Sequence, residues 1–166
     1  MKVVLIGFMG SGKSSVAPRL AKKLGLAVVE MDDLVVKKAG GMSIERIFEA
    51  GGEAAFRELE IAVAKDLKGA DGVVVSTGGG AVMNRLILDY LKDGAVVVEL
   101  LAPFNTLIER ISPKMPRPLF RDVPAAKRLY ELRKPLYNEY ATIHVSTANK
   151  SIDEVAQEVA DKVKSL

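Results

Sequence analysis

The sequence predicts an α/β fold with three layers, in which a five-stranded parallel sheet is flanked by helices. Short apolar runs rich in β-branched residues alternate with longer segments of helical periodicity, and the links between them are short. The first strand is followed by a glycine-rich turn, which is typical of nucleotide-binding members of this class. At 166 residues and 49% hydrophobic content, the chain is expected to form one domain, residues 1–166.

The first strand and its loop carry the most specific motif. Lys2 to Ile6 suit a buried strand, and the loop reads Gly7-Phe8-Met9-Gly10-Ser11-Gly12-Lys13-Ser14. This matches a phosphate-binding loop, in which backbone N–H groups and the next helix N-terminus point at phosphate oxygens. We expect Lys13 to reach the β and γ phosphates of a nucleoside triphosphate and the Ser14 hydroxyl to ligate Mg²⁺.

A helix over residues 12–24 leads to a second strand, residues 27–31, which ends in an acidic cluster. Glu30, Asp32 and Asp33 lie where α/β proteins bind their ligands. Asp32 or Asp33 is equally suited to cap the helix that follows. The residues alone leave both interpretations open.

Glycine pairs divide the next helical region. Gly40-Gly41 ends one helix, Ser43 is the expected N-cap of the next, and Gly51-Gly52 breaks it again. In the helical pattern from residue 53 to 67, Arg57 and Glu60 are three apart and share a face. A solvated surface arginine is the alternative for Arg57.

The third strand, Val73 to Val75, ends in Ser76-Thr77-Gly78-Gly79-Gly80. Three glycines after a strand indicate that a ligand or a tightly packed helix approaches the backbone. We favour a ligand, because this loop lies beside the phosphate loop in a parallel sheet.

The second half continues with a helix over 86–91, a strand over 95–101 and a helix over 103–111. Residues 112–122 hold three prolines and three basic residues in eleven positions, which indicates a lid over phosphate or an ordinary surface linker. Pro135 is expected to kink or interrupt a helix over 123–140. His144 is predicted to be a strand residue without a catalytic role, and the last helix has Ser151 and Glu154 as a capping box, with Ile152, Val155, Val159 and Val163 on its apolar stripe.

Composition and charge argue against several function classes. The net charge of +3 is spread along the chain, so a nucleic-acid partner is not implied. There are no cysteines, no leader pattern and no run of about 18 apolar residues, so we expect a cytoplasmic protein without a membrane partner. A GTPase switch is disfavoured, because Asn149-Lys150-Ser151-Ile152 lacks the aspartate that reads guanine.

The ordered motifs resemble those of the shikimate kinase family over nearly the whole chain. They are Gly7 to Ser14, Met42-Ser43-Ile44 with Ile47-Phe48, Gly52-Glu53-Ala54-Ala55-Phe56-Arg57 followed by Glu60, Ser76 to Val82, Arg117-Pro118-Leu119, and Arg133 with Tyr137. The resemblance implies ATP-dependent phosphorylation of the 3-hydroxyl of shikimate, with Mg²⁺, in aromatic amino acid biosynthesis. It also implies a substrate-binding region over about 32–60 and a lid over about 112–122, and a monomer is expected.

The resemblance further implies roles for single residues. Lys13, Asp32 and Arg117 would be catalytic. Arg57 and Arg133 would bind the carboxylate of shikimate, beside backbone contacts from Gly78, Gly79 and Gly80. ATP would be bound by Gly10, Ser11, Gly12, Lys13, Ser14, Ser15, Arg110 and Arg117, with Arg110 stacking on adenine.

Two departures from the family pattern concern the acidic cluster. The family has an aspartate at the position of Glu30, and this aspartate is associated with the metal. Glu30 is one methylene longer, so its role at the metal is less secure than that of Ser14. An extra glycine at Gly40-Gly41 allows either Asp32 or Asp33 to be the substrate acid, and we choose Asp32 because the preceding strand fixes it. The alternatives for the whole chain are a related kinase for gluconate or a nucleoside monophosphate, and a catalytically silent binding module.

Overall fold

Five parallel strands form the central sheet of the structure, a computed structural model that describes residues 1–111 and 122–166. They are β1 (Lys2–Ile6), β2 (Ala27–Glu30), β3 (Val73–Ser76), β4 (Ala95–Leu101) and β5 (Ile143–Ser146), in the order β2-β3-β1-β4-β5. Every neighbouring pair is parallel. The predicted sheet is therefore confirmed, and β1, which carries the phosphate loop, lies between β3 and β4.

Seven helices flank the sheet in the described ranges. They are α1 (Lys13–Leu24), α2 (Met31–Lys38), α3 (Ile44–Asp66), α4 (Arg85–Lys92), α5 (Phe104–Ile111), α6 (Val123–Tyr140) and α7 (Ile152–Lys164), and a short 3₁₀ turn covers Ala81–Met83. None of these helices is both long enough and apolar enough to cross a lipid bilayer.

Alternation along the strands produces two separate cores. Val4 and Ile6 of β1 face a core shared with α2, α3, α4 and α6, whereas Val3 and Leu5 face α1 and α7. Successive side chains of a strand point to opposite faces, so a parallel strand that is covered on both sides is apolar throughout. This is why residues 2–6 are buried without interruption.

Helix α3 contains the break predicted at the glycine pair. Gly52 has φ 70° and ψ −172°, which is not helical, although helical hydrogen bonding resumes on both sides. This backbone region is open almost only to glycine. The Ser43 hydroxyl accepts a hydrogen bond from the Arg46 backbone N–H, so the predicted N-cap is also confirmed. The kink reorients the part of α3 that carries Arg57.

Three local expectations were wrong. The interruption expected at Pro135 is absent, because α6 runs as one helix over 18 residues with the exposed Pro135 inside it. Neither Asp32 nor Asp33 caps α2, because the helix begins at Met31 with Glu30 in the cap position. Ile152 is 45% exposed rather than part of the apolar stripe of α7, since it lies in the first turn, beyond the core.

Candidate active site

The lysine of the phosphate loop is hydrogen-bonded to the backbone of the loop itself. The Lys13 ammonium donates hydrogen bonds to the carbonyl oxygens of Gly7 (2.8 Å) and Phe8 (3.2 Å), and the side chain is buried. Gly10 has a φ of 78°, and a Cβ there would lie 2.6 Å from the Cδ1 atom of Ile111 and 3.2 Å from the Leu107 carbonyl oxygen, so any other residue would be strained. The loop therefore packs against α5 and presents its concave backbone at the start of α1.

Ser14 and Glu30 meet beside the phosphate loop. The Ser14 hydroxyl donates a hydrogen bond to Glu30 Oε2 at 3.2 Å. Burial raises the pKa of the Glu30 carboxyl, opposed by the hydroxyl groups of Ser76 and Ser14 and reinforced by the nearby Asp32 and Asp33. A cation placed here would stabilise the ionised carboxylate, so the hard oxygen donors and the local negative charge fit Mg²⁺.

No group of three or more His, Cys, Asp and Glu side chains in residues 1–111 and 122–166 is arranged to hold a metal alone. At phosphoryl-transfer sites, Mg²⁺ binds phosphate oxygens and water together with one or two protein oxygens. Ser14 and Glu30 would supply protein oxygens in that number.

Asp32 and Asp33 point to different environments. Asp32 is half-buried, and its Oδ1 atom lies 3.3 Å from the position that a Cβ of Gly78 would occupy. The same position lies 3.5 Å from Glu60 Oε1. Asp33, in contrast, is exposed to solvent. Asp32 is thus the acid that faces the glycine triplet.

Arg57 is held in place by two carboxylates of its own helix. Its guanidinium pairs with Glu60, which is completely buried, and with Glu53 Oε1 at 3.3 Å. Burial raises the pKa of the Glu60 carboxyl, and the charge and hydrogen bond of Arg57 oppose that rise. The alternative of a solvated surface arginine is wrong, since the Arg57 side chain is only 18% exposed.

Arg133 reaches the same place from α6. It is 7% exposed, its guanidinium carbon lies 5.8 Å from the centroid of the Phe8 ring, and its Nε atom is buried without a hydrogen-bond partner among the described residues. Burial lowers the pKa of Arg133, and the positive charge of Arg57 adds to this effect. Two cations therefore lie close enough to repel each other.

The two guanidinium groups converge on the glycine triplet. A Cβ on Gly80 would lie 2.5 Å from Arg57 Nη2 and 3.2 Å from Arg133 Nη2. Gly79 packs against the phosphate loop instead, because a Cβ there would lie 3.2 Å from the backbone nitrogen of Met9. The glycine triplet thus lies between the phosphate loop, which contacts Gly79, and the cationic pocket formed by Arg57 and Arg133, which contact Gly80.

Arg110 is anchored at the opposite side of the phosphate loop. Its guanidinium donates to the Thr147 hydroxyl (2.8 Å), the Thr147 carbonyl (2.9 Å) and the Gly10 carbonyl (3.3 Å). The N–H groups of a guanidinium point outward in its plane, so these bonds do not use its two faces. Gly12, Ser14 and Ser15 are at the start of α1, and the Ser11 side chain is buried.

Arg117 and the rest of the expected lid, residues 112–121, lie outside the described residues. Asp122 caps α6 by accepting a hydrogen bond from the Ala125 N–H at 3.0 Å. The predicted proximity of Arg57 and Glu60 is confirmed by their ion pair. Tyr137 was named only as part of a motif with Arg133, and Thr147, which accepts a hydrogen bond from Arg110, was not predicted as a site residue. The spacing of Glu60 from Arg57 and of Tyr137 from Arg133, at three and four residues on a helix, was the available signal.

The sheet order, the phosphate loop on β1 and the facing cationic pocket define the class of P-loop kinases of small molecules. Solved structures of that class superpose closely. Shikimate kinase from Acinetobacter baumannii in complex with shikimate has a TM-score of 0.91 at 31% identity, covering 99% of this chain and 93% of that one. A gluconokinase from Sinorhizobium meliloti has a TM-score of 0.64 at 20% identity and shows the fold alone.

The sequence comparisons identify the family. The family model for shikimate kinase matches residues 9–164. Curated shikimate kinases from Geobacter sulfurreducens and Aquifex aeolicus are each 40% identical, over 98% and 96% of this chain and 90% and 94% of their own lengths. The chain therefore belongs to the shikimate kinase family, and it is an enzyme, a nucleotide-binding phosphotransferase.

Proposed function

We propose that this chain transfers the γ-phosphoryl group of ATP to the 3-hydroxyl of shikimate, giving shikimate 3-phosphate and ADP for aromatic amino acid biosynthesis. The observation that carries this proposal is the convergence of Arg57 and Arg133 on Gly80. The Arg133 guanidinium is buried beside a second cation, Arg57, and its Nε atom has no hydrogen-bond partner among the described residues. Burying this charge without an anion lowers the stability of the fold. The carboxylate of shikimate supplies that anion through bidentate pairing.

Asp32 is the residue we assign to the acceptor hydroxyl. It lies at the edge of the glycine triplet, opposite the arginine pocket, so a ring whose carboxylate pairs with Arg57 and Arg133 presents its hydroxyl groups toward Asp32. There Asp32 accepts the hydrogen bond of the 3-hydroxyl and then its proton. Gly78, Gly79 and Gly80 offer backbone contacts where side chains would clash.

Lys13 is assigned to the charge that develops on the transferred phosphoryl group. Its present bonds to Gly7 and Phe8 hold the ammonium inside the loop, so it is already oriented when phosphate enters. The proposal keeps Arg117 as the matching cation of a lid over 112–122. ATP lies along Gly10, Ser11, Gly12, Lys13, Ser14 and Ser15, and the face of Arg110 stacks on adenine.

Ser14 and Glu30 would hold Mg²⁺ together with ATP. Bound there, the ion supplies charge neutralisation between the phosphates. The longer side chain of Glu30 reaches the Ser14 hydroxyl directly, which supports its place in the metal shell. We also propose residues 32–60 as the substrate-binding region and a monomeric state. A cytoplasmic location is proposed because the phosphoryl donor is ATP.

The test is a coupled assay of ADP release with shikimate, gluconate and AMP in parallel. We expect turnover with shikimate and at most a background rate with the other two acceptors. A matched control is Arg133→Met, which keeps much of the side-chain volume but not the charge and is expected to raise the KM for shikimate. No turnover with shikimate, together with turnover of gluconate or AMP, would favour a related kinase, and no turnover at all would favour a silent binding module.

A further inference from the structure

Helix α6 places three side chains of one face against the site. Tyr130 packs edge-on against Phe8 with ring centroids 5.4 Å apart, and the guanidinium carbon of Arg133 lies 5.8 Å from the centroid of the same Phe8 ring. One turn further, the Tyr137 hydroxyl donates a hydrogen bond of 2.6 Å to the Gly79 carbonyl. The helix therefore contacts both the phosphate loop and the glycine triplet.

The hydrogen bond from Tyr137 holds Gly79, which lies between the phosphate loop and the two arginines. Gly79 is bounded on one side by Met9 of the phosphate loop and is followed by Gly80, against which Arg57 and Arg133 lie. A peptide held at its carbonyl cannot rotate without breaking that bond. The Gly79 carbonyl direction thus determines where the Gly80 backbone faces the arginines.

The Tyr137 side chain is suited to hold such a bond. The residue is 3% exposed, and burial raises the pKa of its hydroxyl, so the group stays protonated as a donor over the range in which the enzyme would work. Because its ring is packed in the core and the helix carries it as a rigid unit, the hydroxyl position varies little.

We propose that Tyr137 is a positioning residue, which fixes the Gly79 carbonyl so that the Gly80 backbone and the guanidinium of Arg133 together receive the carboxylate end of the acceptor. The proposal rests on the proposed function, since it concerns binding of that acceptor. Tyr137 itself touches no reacting atom. It acts through the Gly79 carbonyl and through the Arg133 guanidinium, whose charge and hydrogen bond oppose the raised pKa of the Tyr137 hydroxyl. Both contacts lie on the acceptor side of the site.

The test compares Tyr137→Phe with Tyr130→Phe in the full-length protein. Both variants keep the ring and remove one hydroxyl on the same helix; the Tyr130 hydroxyl donates to the Ala102 carbonyl at 3.2 Å, away from the triplet. For Tyr137→Phe we expect the KM for shikimate to rise about fivefold, the loss of one neutral hydrogen bond. The KM for ATP should change less than about twofold, and for Tyr130→Phe both KM values should stay near wild type.

A second variant separates positioning from packing. Tyr137→4-aminophenylalanine restores an N–H donor at the same point and is expected to return the KM for shikimate to within about twofold of wild type. KM does not depend on the active fraction, so partial unfolding cannot imitate the effect. Equal KM values for shikimate in Tyr137→Phe and wild type would overturn the proposal, as would a Tyr137→Phe protein that does not fold. An inactive wild type would instead refute the proposed function.

Discussion

Asp32 and Asp33 are adjacent residues in the first turn of α2, yet only one faces the site. Asp32 lies against Gly78 and contributes to the raised pKa of Glu60, whereas Asp33 is exposed. We predict that Asp32→Asn lowers kcat with shikimate at least about a hundredfold, the scale of a lost general base. The dissociation constant for ATP, measured by calorimetry, should change less than about twofold.

Asp33→Asn is the matched control, because it makes the same chemical change one residue away. It should retain kcat within about twofold of wild type. An active Asp32→Asn enzyme beside an inactive Asp33→Asn enzyme would reverse the assignment of the substrate acid.

Glu60 shows why a carboxylate that touches no substrate belongs in this site. It is fully buried, and one oxygen is taken by Arg57 while Oε1 has no hydrogen-bond partner among the described residues. Burial raises its pKa, and the charge and hydrogen bond of Arg57 oppose that rise, with a smaller contribution from the charge of Arg133. The pair therefore holds the Arg57 guanidinium at the glycine triplet at a fixed angle.

At the scale of elements, the kink in α3 decides which way Arg57 points. Gly52 has a backbone conformation that a residue with a Cβ adopts only with strain, while nothing lies within 4 Å of where that Cβ would be. We predict that Gly52→Ala lowers the free energy of unfolding by about 1–3 kcal/mol through backbone strain alone. Urea unfolding followed by circular dichroism measures this change.

Gly69→Ala is the control for that substitution. Gly69 also has open space around its Cβ position, but its φ is not positive. Its effect should stay within about 0.5 kcal/mol, as for most surface changes. Equal effects of the two substitutions would show that the kink at Gly52 carries no strain.

The order of strands and helices could be predicted from local signals, because each is encoded within a few residues. Glycine pairs end helices, Ser43 and Ser151 cap them, and apolar runs form strands that are buried on both faces. The break at Gly52 was predictable for the same reason. Pro135 was misjudged, because whether a helix tolerates a proline depends on the exposure of the carbonyl behind it, which sequence does not show.

The site was only partly predictable, because its contacts join distant parts of the chain. Motif spacing indicated the phosphate loop, and the resemblance to the shikimate kinase family implied the roles of Arg57 and Arg133. Neither indicated that both guanidinium groups approach Gly80, or that Tyr137 bonds to Gly79 across 58 positions. Which of Asp32 and Asp33 faces the glycine triplet depends on the direction of α2, which sequence does not show.

As a whole, the molecule is proposed to pass a phosphoryl group from ATP to one hydroxyl of a carboxylate-bearing ring. Two-dimensional ¹H–³¹P correlation NMR of the product made from shikimate, ATP and Mg²⁺ measures this transfer directly. We predict a single new phosphate monoester whose phosphorus couples to the proton at carbon 3 of the ring. A phosphate on another hydroxyl, or ADP formation without phosphorylated shikimate, would contradict it.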